Sequence, residues 1–363
     1  MTGPGVAVSA STTIPVRNLW LLMLYASRLY CANELLRNRA VEDNPDDLFN
    51  MVAEVLVTAM ERRLKRSLGR QYRRWDATLT RVRGQIDALA TESRMLLAKG
   101  QVACRFDELT VDNLRNRVLH TALALAARNV GDHTLQQRAR GLADVLTQYG
   151  VASRPVTARD ADRVVLGRNE QDDVEAVDAA RLLLHMIIPA EEAGNSSNRD
   201  PDRSAEQIRR LYEAAVRGFY RAVLPPEWEV AEGEKQHRWP VTDATAGLNA
   251  ILPIMKTDTL IQSRCRRIIV ETKFAQALKP NQYGLPRLAR EHIFQLYAYV
   301  QSQNEVDDLA AVAEGVLLYP VVGQHLDESA TIQGHRYRFL TVDLAASSGE
   351  IRDTLLSVPG PAA

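Results

Sequence analysis

Apolar positions recur every three to four residues over residues 17–36, 46–68, 111–129, 134–149, 174–188, 204–224 and 287–303. Each window predicts a helix with one buried stripe. Asn44-Pro45-Asp46 supplies a start signal for the second helix, Gly131 to His133 a turn, and Pro189 an end to the fifth. Runs rich in β-branched residues predict strands around 77–87, 101–106, 228–240, 257–274, 313–319 and 336–343. Residues 1–13 are small and polar and predict a disordered start. Glu191-Glu192-Ala193-Gly194-Asn195-Ser196-Ser197-Asn198 has the composition of a linker. The chain therefore reads as two domains, 1–195 and 196–363. The first mixes helices and strands. The second alternates them in the manner of a mixed sheet flanked by helices, an α/β (α+β) class.

One strand departs from its pattern. In Arg267-Ile268-Ile269-Val270-Glu271-Thr272-Lys273-Phe274, charges interrupt an apolar run. Alternation puts Glu271 and Lys273 on the same face. Upstream, Thr257-Asp258-Thr259-Leu260-Ile261-Gln262 is also extended, and the polar Ser263-Arg264-Cys265-Arg266 is short enough for a hairpin. Antiparallel pairing brings Asp258 beside Glu271. Two carboxylates so placed repel unless a divalent cation lies between them, and hard oxygen ligands suit magnesium, with manganese equally accepted. An adjacent ammonium then adds charge stabilisation for phosphodiester hydrolysis. Gln295 and Tyr299, at i and i+4, share one face of the following helix.

Composition narrows the reading. Apolar content of 46% and charged content of 25% are ordinary for a globular protein, and the formal net charge is zero. A neutral chain is an unusual lone DNA binder, so tight capture of DNA falls to a partner. Charge is nevertheless uneven. Arg62, Arg63, Lys65, Arg66, Arg70, Arg73, Arg74, Arg81 and Arg83 lie close together with Tyr72 and Trp75 among them, a contact surface for DNA or for an acidic partner face. The three cysteines, Cys31, Cys104 and Cys265, show no metal or disulfide spacing, so a reducing cytoplasm is expected. Leu19 to Ala26 is too short to span a bilayer. No glycine-rich phosphate loop is present, so any nucleotide-driven motor is another protein. His237 and His292 read as structural or surface residues, and His185, within an apolar helix, as a core side chain.

The spacing of Asp258, Glu271 and Lys273 resembles the PD-(D/E)xK nuclease superfamily, and Gln295 and Tyr299 fit the Q-x-x-x-Y helix of several of its branches. Further blocks resemble the McrC family of restriction subunits: Ile14-Pro15-Val16-Arg17-Asn18-Leu19-Trp20, Arg83-Gly84-Gln85-Ile86-Asp87, Phe106-Asp107-Glu108-Leu109-Thr110, Asn113-Leu114, Asn116-Arg117 and Leu252-Pro253 before Met255-Lys256-Thr257-Asp258. The resemblance implies a Mg²⁺-dependent endonuclease working with a McrB-like AAA+ GTPase ring on double-stranded DNA. The N-terminal domain docks on the ring, which uses the GTP and reads the methylated cytosine. Asp258 and Glu271 hold the metal, the Thr272 carbonyl adds a ligand, Lys273 orients water or stabilises the phosphate, and Gln295 and Tyr299 support the site. In many superfamily members a helical glutamate, here Glu213, also reaches the metal. Two alternatives stay open: a non-cleaving subunit that activates the AAA+ partner, and a stand-alone DNA-processing exonuclease.

Overall fold

A computed structural model describes residues 5–9, 12–37, 47–66, 68–194, 201–232, 236–237, 239, 241, 243–280, 282–303, 309–321 and 325–360. Asn44-Pro45-Asp46 and the end of the expected linker, Asn195 to Asn198, lie outside them. The chain forms two compact units, one of Met1–Leu48 with Met186–Ala363 and one of Phe49–His185. The boundary expected at 195 thus falls at 185–186, and the first segment folds with the C-terminal part rather than with the domain that follows it.

Long-range packing explains that correction. Helix Val16–Ala26 buries Leu19, Leu21, Leu22, Leu24 and Tyr25 and lies against helix α1, Pro201–Val223. The two backbones touch at Gly218, where an added Cβ would fall 2.0 Å from the Tyr25 carbonyl oxygen. Tyr25 and Phe219 then meet with ring centroids 5.0 Å apart. Asn18 Nδ2 donates to the carbonyls of Leu344 (2.7 Å) and Ala346 (3.0 Å), and Trp20 Nε1 donates to Met186 O at 2.7 Å. Residues 5–9 and 12–15, which overlap the 1–13 stretch expected to be disordered, pair as antiparallel strands. The expected 17–36 helix is broken at Ser27 and Asn33 into three pieces.

The same unit holds the principal sheet. Its strands, in chain order, are β1 (Glu229–Glu232), β2 (Thr259–Gln262), β3 (Arg267–Thr272), β4 (Ala313–Val321), β5 (Asp327–Ile332) and β6 (His335–Asp343). Their spatial order is β5-β6-β4-β3-β2-β1. The pairs β3/β4 and β4/β6 are parallel and the remainder antiparallel. All six residues of the central β3 are buried, as its Ile-Ile-Val run requires. Helix α2, Arg290–Gln301, joins β3 to β4 and packs on the sheet. It rests directly on Gly315, where a Cβ would lie 2.9 Å from Val300 and 3.0 Å from Leu296 side-chain atoms.

The other unit is mainly helical, with a three-stranded antiparallel sheet of Gln71–Leu79, Val102–Thr110 and Gln85–Ile86. Asn113 and Asn116 donate side-chain N–H bonds to Gly69 O at 3.1 and 3.0 Å and anchor the sheet's entry. Gly84, at φ +68°, faces the Arg105 carbonyl so closely that a Cβ would lie 2.4 Å from it. Asp87 caps helix Ala88–Ser93 by accepting from Ala90 N at 2.9 Å. These blocks therefore act as packing and capping devices. Five of the nine basic residues do likewise: Arg62, Arg63, Arg66, Arg73 and Arg83 pair with Glu175, Asp173, Asp172, Asp112 and Glu108. Tyr72 and Trp75 remain exposed on the strand. Helix Val174–Gly194 continues through Pro189, where an end was expected.

Candidate active site

β2 and β3 form the anticipated hairpin, in the register Arg267↔Gln262, Ile268↔Ile261, Ile269↔Leu260, Val270↔Thr259. One step beyond this ladder lie Asp258 and Glu271. Regular pairing stops there because Asp258 turns its carboxylate onto the strand end: Oδ2 accepts from Thr272 N at 2.8 Å and Thr272 Oγ1 at 2.6 Å. Two strong donors hold this acid in one rotamer.

Glu271 is only 1% exposed. Its Oε1 accepts from Lys273 Nζ at 2.6 Å and from Gln295 Nε2 at 2.8 Å. Lys273 Nζ also donates to Gln295 Oε1 at 2.8 Å, and Gln295 Nε2 donates to the Tyr299 hydroxyl at 2.8 Å. A closed network of carboxylate, ammonium, amide and phenol results. Glu271 Oε2, by contrast, is buried with no hydrogen-bond partner. Burial first, and the charge of Asp258 second, push the Glu271 carboxyl up to about 7, against the opposing pull of Lys273. The Asp258 backbone N–H pulls weakly the other way, and a buried carboxylate oxygen short of hydrogen bonds in the field of a second carboxylate is costly unless a cation compensates it.

The family model for the McrBC 5-methylcytosine restriction system component matches residues 8–320. The chain belongs to the McrBC component family. A curated relative, the type IV methyl-directed restriction enzyme EcoKMcrBC of Escherichia coli, is 23% identical over 346 residues, covering 95% of this chain and 97% of that protein. Among solved structures, the refined half-complex from a tetradecameric assembly of Thermococcus gammatolerans McrB AAA+ hexamers with bound McrC covers 94% of this chain and 75% of the matched one, at 13% identity and a TM-score of 0.41. The cryo-EM structure of the Thermococcus gammatolerans McrBC complex covers 51% and 60%, at 15% identity and a TM-score of 0.35.

In this McrBC component the fold brings Asp258, Glu271, Thr272, Lys273, Gln295 and Tyr299 together around the end of β3. Glu213 is placed differently. It is half-buried on α1 and ion-paired to Arg217 at 2.8 Å. Burial, then the charge of Asp258, raises its pKa, so it lies within electrostatic reach of the site. Among the described residues no three His, Cys, Asp or Glu side chains converge as a metal cage. A cation fits the donor set present, two carboxylates with one oxygen unclaimed, provided backbone, water or substrate oxygens complete its shell.

Sequence reasoning missed one contributor. The Thr272 hydroxyl, not only its carbonyl, belongs to the site because it clamps Asp258. His292, read as structural or surface, is half-buried with Nδ1 3.1 Å from the Tyr319 hydroxyl. Burial and then the Lys273 charge lower its pKa. His292 shares one face of α2 with Gln295 and Tyr299 and packs there as a structural residue. His185 is bonded to Asp162 at 2.9 Å and stays partly exposed rather than sitting in the core.

Proposed function

We propose that this McrBC component is the nuclease subunit of a GTP-dependent restriction complex, hydrolysing phosphodiester bonds in DNA that carries methylated cytosine. The observation that carries this reading is the buried Glu271, its Oε2 without a hydrogen bond, in the field of the Asp258 carboxylate and beside Lys273.

Asp258 and Glu271 would hold a divalent cation, Mg²⁺ or Mn²⁺, with the Thr272 carbonyl as a further donor and Glu213 as an outer one. Such a cation lowers the pKa of a bound water and offsets charge developing on the phosphate. The remaining work belongs to the chain. Thr272 fixes the Asp258 rotamer. Gln295 holds both Glu271 and Lys273, so the ammonium is pre-positioned for the phosphate oxygens and needs no reorganisation in the transition state. Tyr299 accepts from the Gln295 amide and sets which way that amide points.

The Phe49–His185 unit, with Tyr72 and Trp75 exposed on a strand that also carries Arg70 and Arg74 nearby, would dock the AAA+ GTPase that supplies nucleotide hydrolysis and base recognition, and would stimulate it. Family membership, neutral net charge and the missing phosphate loop support that division of labour. Among the described residues no helix is long and apolar enough to cross a membrane.

The test is cleavage of methylated and unmethylated plasmid by the purified chain with a McrB-like partner, GTP and Mg²⁺. Cutting should require the partner, GTP and methylation, and should disappear with Asp258→Ala. Cutting unaffected by that substitution would place the site elsewhere. GTPase stimulation without any cleavage by the wild type would assign the chain to a non-cleaving role.

A further inference from the structure

We propose that the two-stranded ribbon Leu278–Pro280 with Pro286–Leu288 is a DNA grip, holding duplex phosphates that flank the bond to be cut; this rests on the nuclease reading above. The ribbon's register pairs Leu278↔Leu288, Lys279↔Arg287 and Pro280↔Pro286. Lys279 and Arg287 therefore sit directly opposite each other, an arrangement that costs stability without a counter-charge. Both are exposed, as is Arg290 at the start of α2, and none of the three makes an ion pair with a described residue. A like-charged pair that no described residue neutralises fits an external polyanion.

The root of the ribbon is firm and its tip is presented outward. Ala277 and Ala289 are buried, and Leu288 packs against the hydrophobic core beneath α2. Pro280 and Pro286 lack N–H donors, so the outer end of the ribbon does not template another strand. The turn passes through Gly284 at φ +76°, with Tyr283 76% exposed and Leu285 exposed beside it. An aromatic and an apolar side chain between cations match a sugar-phosphate backbone and groove edge.

Position decides between DNA and an acidic protein face. The ribbon lies in the segment that joins the end of β3, next to Lys273, to α2, which carries Gln295, so its cations are tethered between two members of the proposed site. A DNA strand whose phosphate is held at Lys273 extends as a polyanion on either side. The ribbon and the α2 start offer exposed cations to that continuation.

Binding of the full chain to a fluorescein-labelled 20-bp duplex, followed by anisotropy from 25 to 150 mM KCl, tests this with wild type, Asp258→Ala and the double variant Lys279→Ser/Arg287→Ser. The double variant should bind about tenfold or more weakly at low salt, with a log K versus log [KCl] slope shallower by about two, as loss of two phosphate contacts requires. Its melting temperature should equal or exceed that of wild type, since only exposed like charges are removed. Asp258→Ala should still bind while failing to cleave, which separates this inference from the nuclease reading. Equal affinity and slope in wild type and double variant, including absence of binding by both, would overturn the grip. So would loss of co-assembly with the ring partner at unchanged DNA slope.

Discussion

The two ends of β3 are built from the same kind of strand and treat buried charge in opposite ways. At one end Arg267 is buried, and its guanidinium donates from Nε and Nη2 to Gln262 Oε1 at 3.2 Å and from Nη1 to Gln303 Oε1 at 3.4 Å. At the other end Glu271 is equally buried, yet its Oε2 lacks a hydrogen bond, the Asp258 charge acts on it and its pKa rises to about 7. A charge whose hydrogen bonds are met within the same unit belongs to the fold. A charge left incomplete is reserved for something that arrives later.

The largest expected effect is on chemistry at the Glu271 end. In the assembled complex, Lys273→Ala should lower cleavage by about a thousandfold, on the order of 4 kcal/mol of transition-state stabilisation. A loss below tenfold in single-turnover assays would erase the contrast between the two ends.

At the Arg267 end the expected cost is to stability alone. Arg267→Met should destabilise the unit by about 2–3 kcal/mol, because Gln262 and Gln303 lose charged hydrogen bonds inside the sheet. Urea unfolding measures this, and a midpoint equal to that of wild type would show that Arg267 is no more than a surface-like charge.

The sign of the pH dependence sharpens the comparison further. The folded Glu271 carboxyl binds its proton more tightly than the unfolded one, so its stabilising contribution is complete below about pH 4.5 and is lost as pH rises through about 7. Without divalent cation, wild type should lose up to roughly 2–3 kcal/mol between pH 5 and 8 from this group, and Glu271→Gln should remove that part of the slope. Identical pH profiles for the two proteins would contradict the assigned shift.

The smallest effect is expected at the edge of the network. Tyr299→Phe removes the hydroxyl that accepts from Gln295 and should slow cleavage only severalfold, about 1 kcal/mol. A hundredfold loss would promote Tyr299 from support to direct participation.

The site was legible because its parts are near neighbours in sequence or obey a fixed periodicity. The Ile-Ile-Val run marks β3, the polar Ser263–Arg266 connection marks the hairpin, and helical spacing joins Gln295 to Tyr299. What escaped was set by contacts between distant segments. Strand β5, Asp327–Ile332, is exposed at every position, carries no apolar alternation and exists through its backbone pairing with β6. The engagement of Arg62, Arg63 and Arg66 by acids at 172–175 is invisible to a local count of charge. The docking of Val16–Ala26 on α1 depends on Gly218 and Tyr25, which no window of sequence contains together.

That docking also dictates an order of events during synthesis. Helix Val16–Ala26 leaves the ribosome with its leucines and Tyr25 uncovered, and its mate begins only after residue 186, beyond the whole Phe49–His185 unit. At ordinary translation rates the wait is on the order of ten seconds. The intervening unit can complete its own core in that interval, whereas the N-terminal helix remains exposed to chaperones and to its counterparts on neighbouring nascent chains.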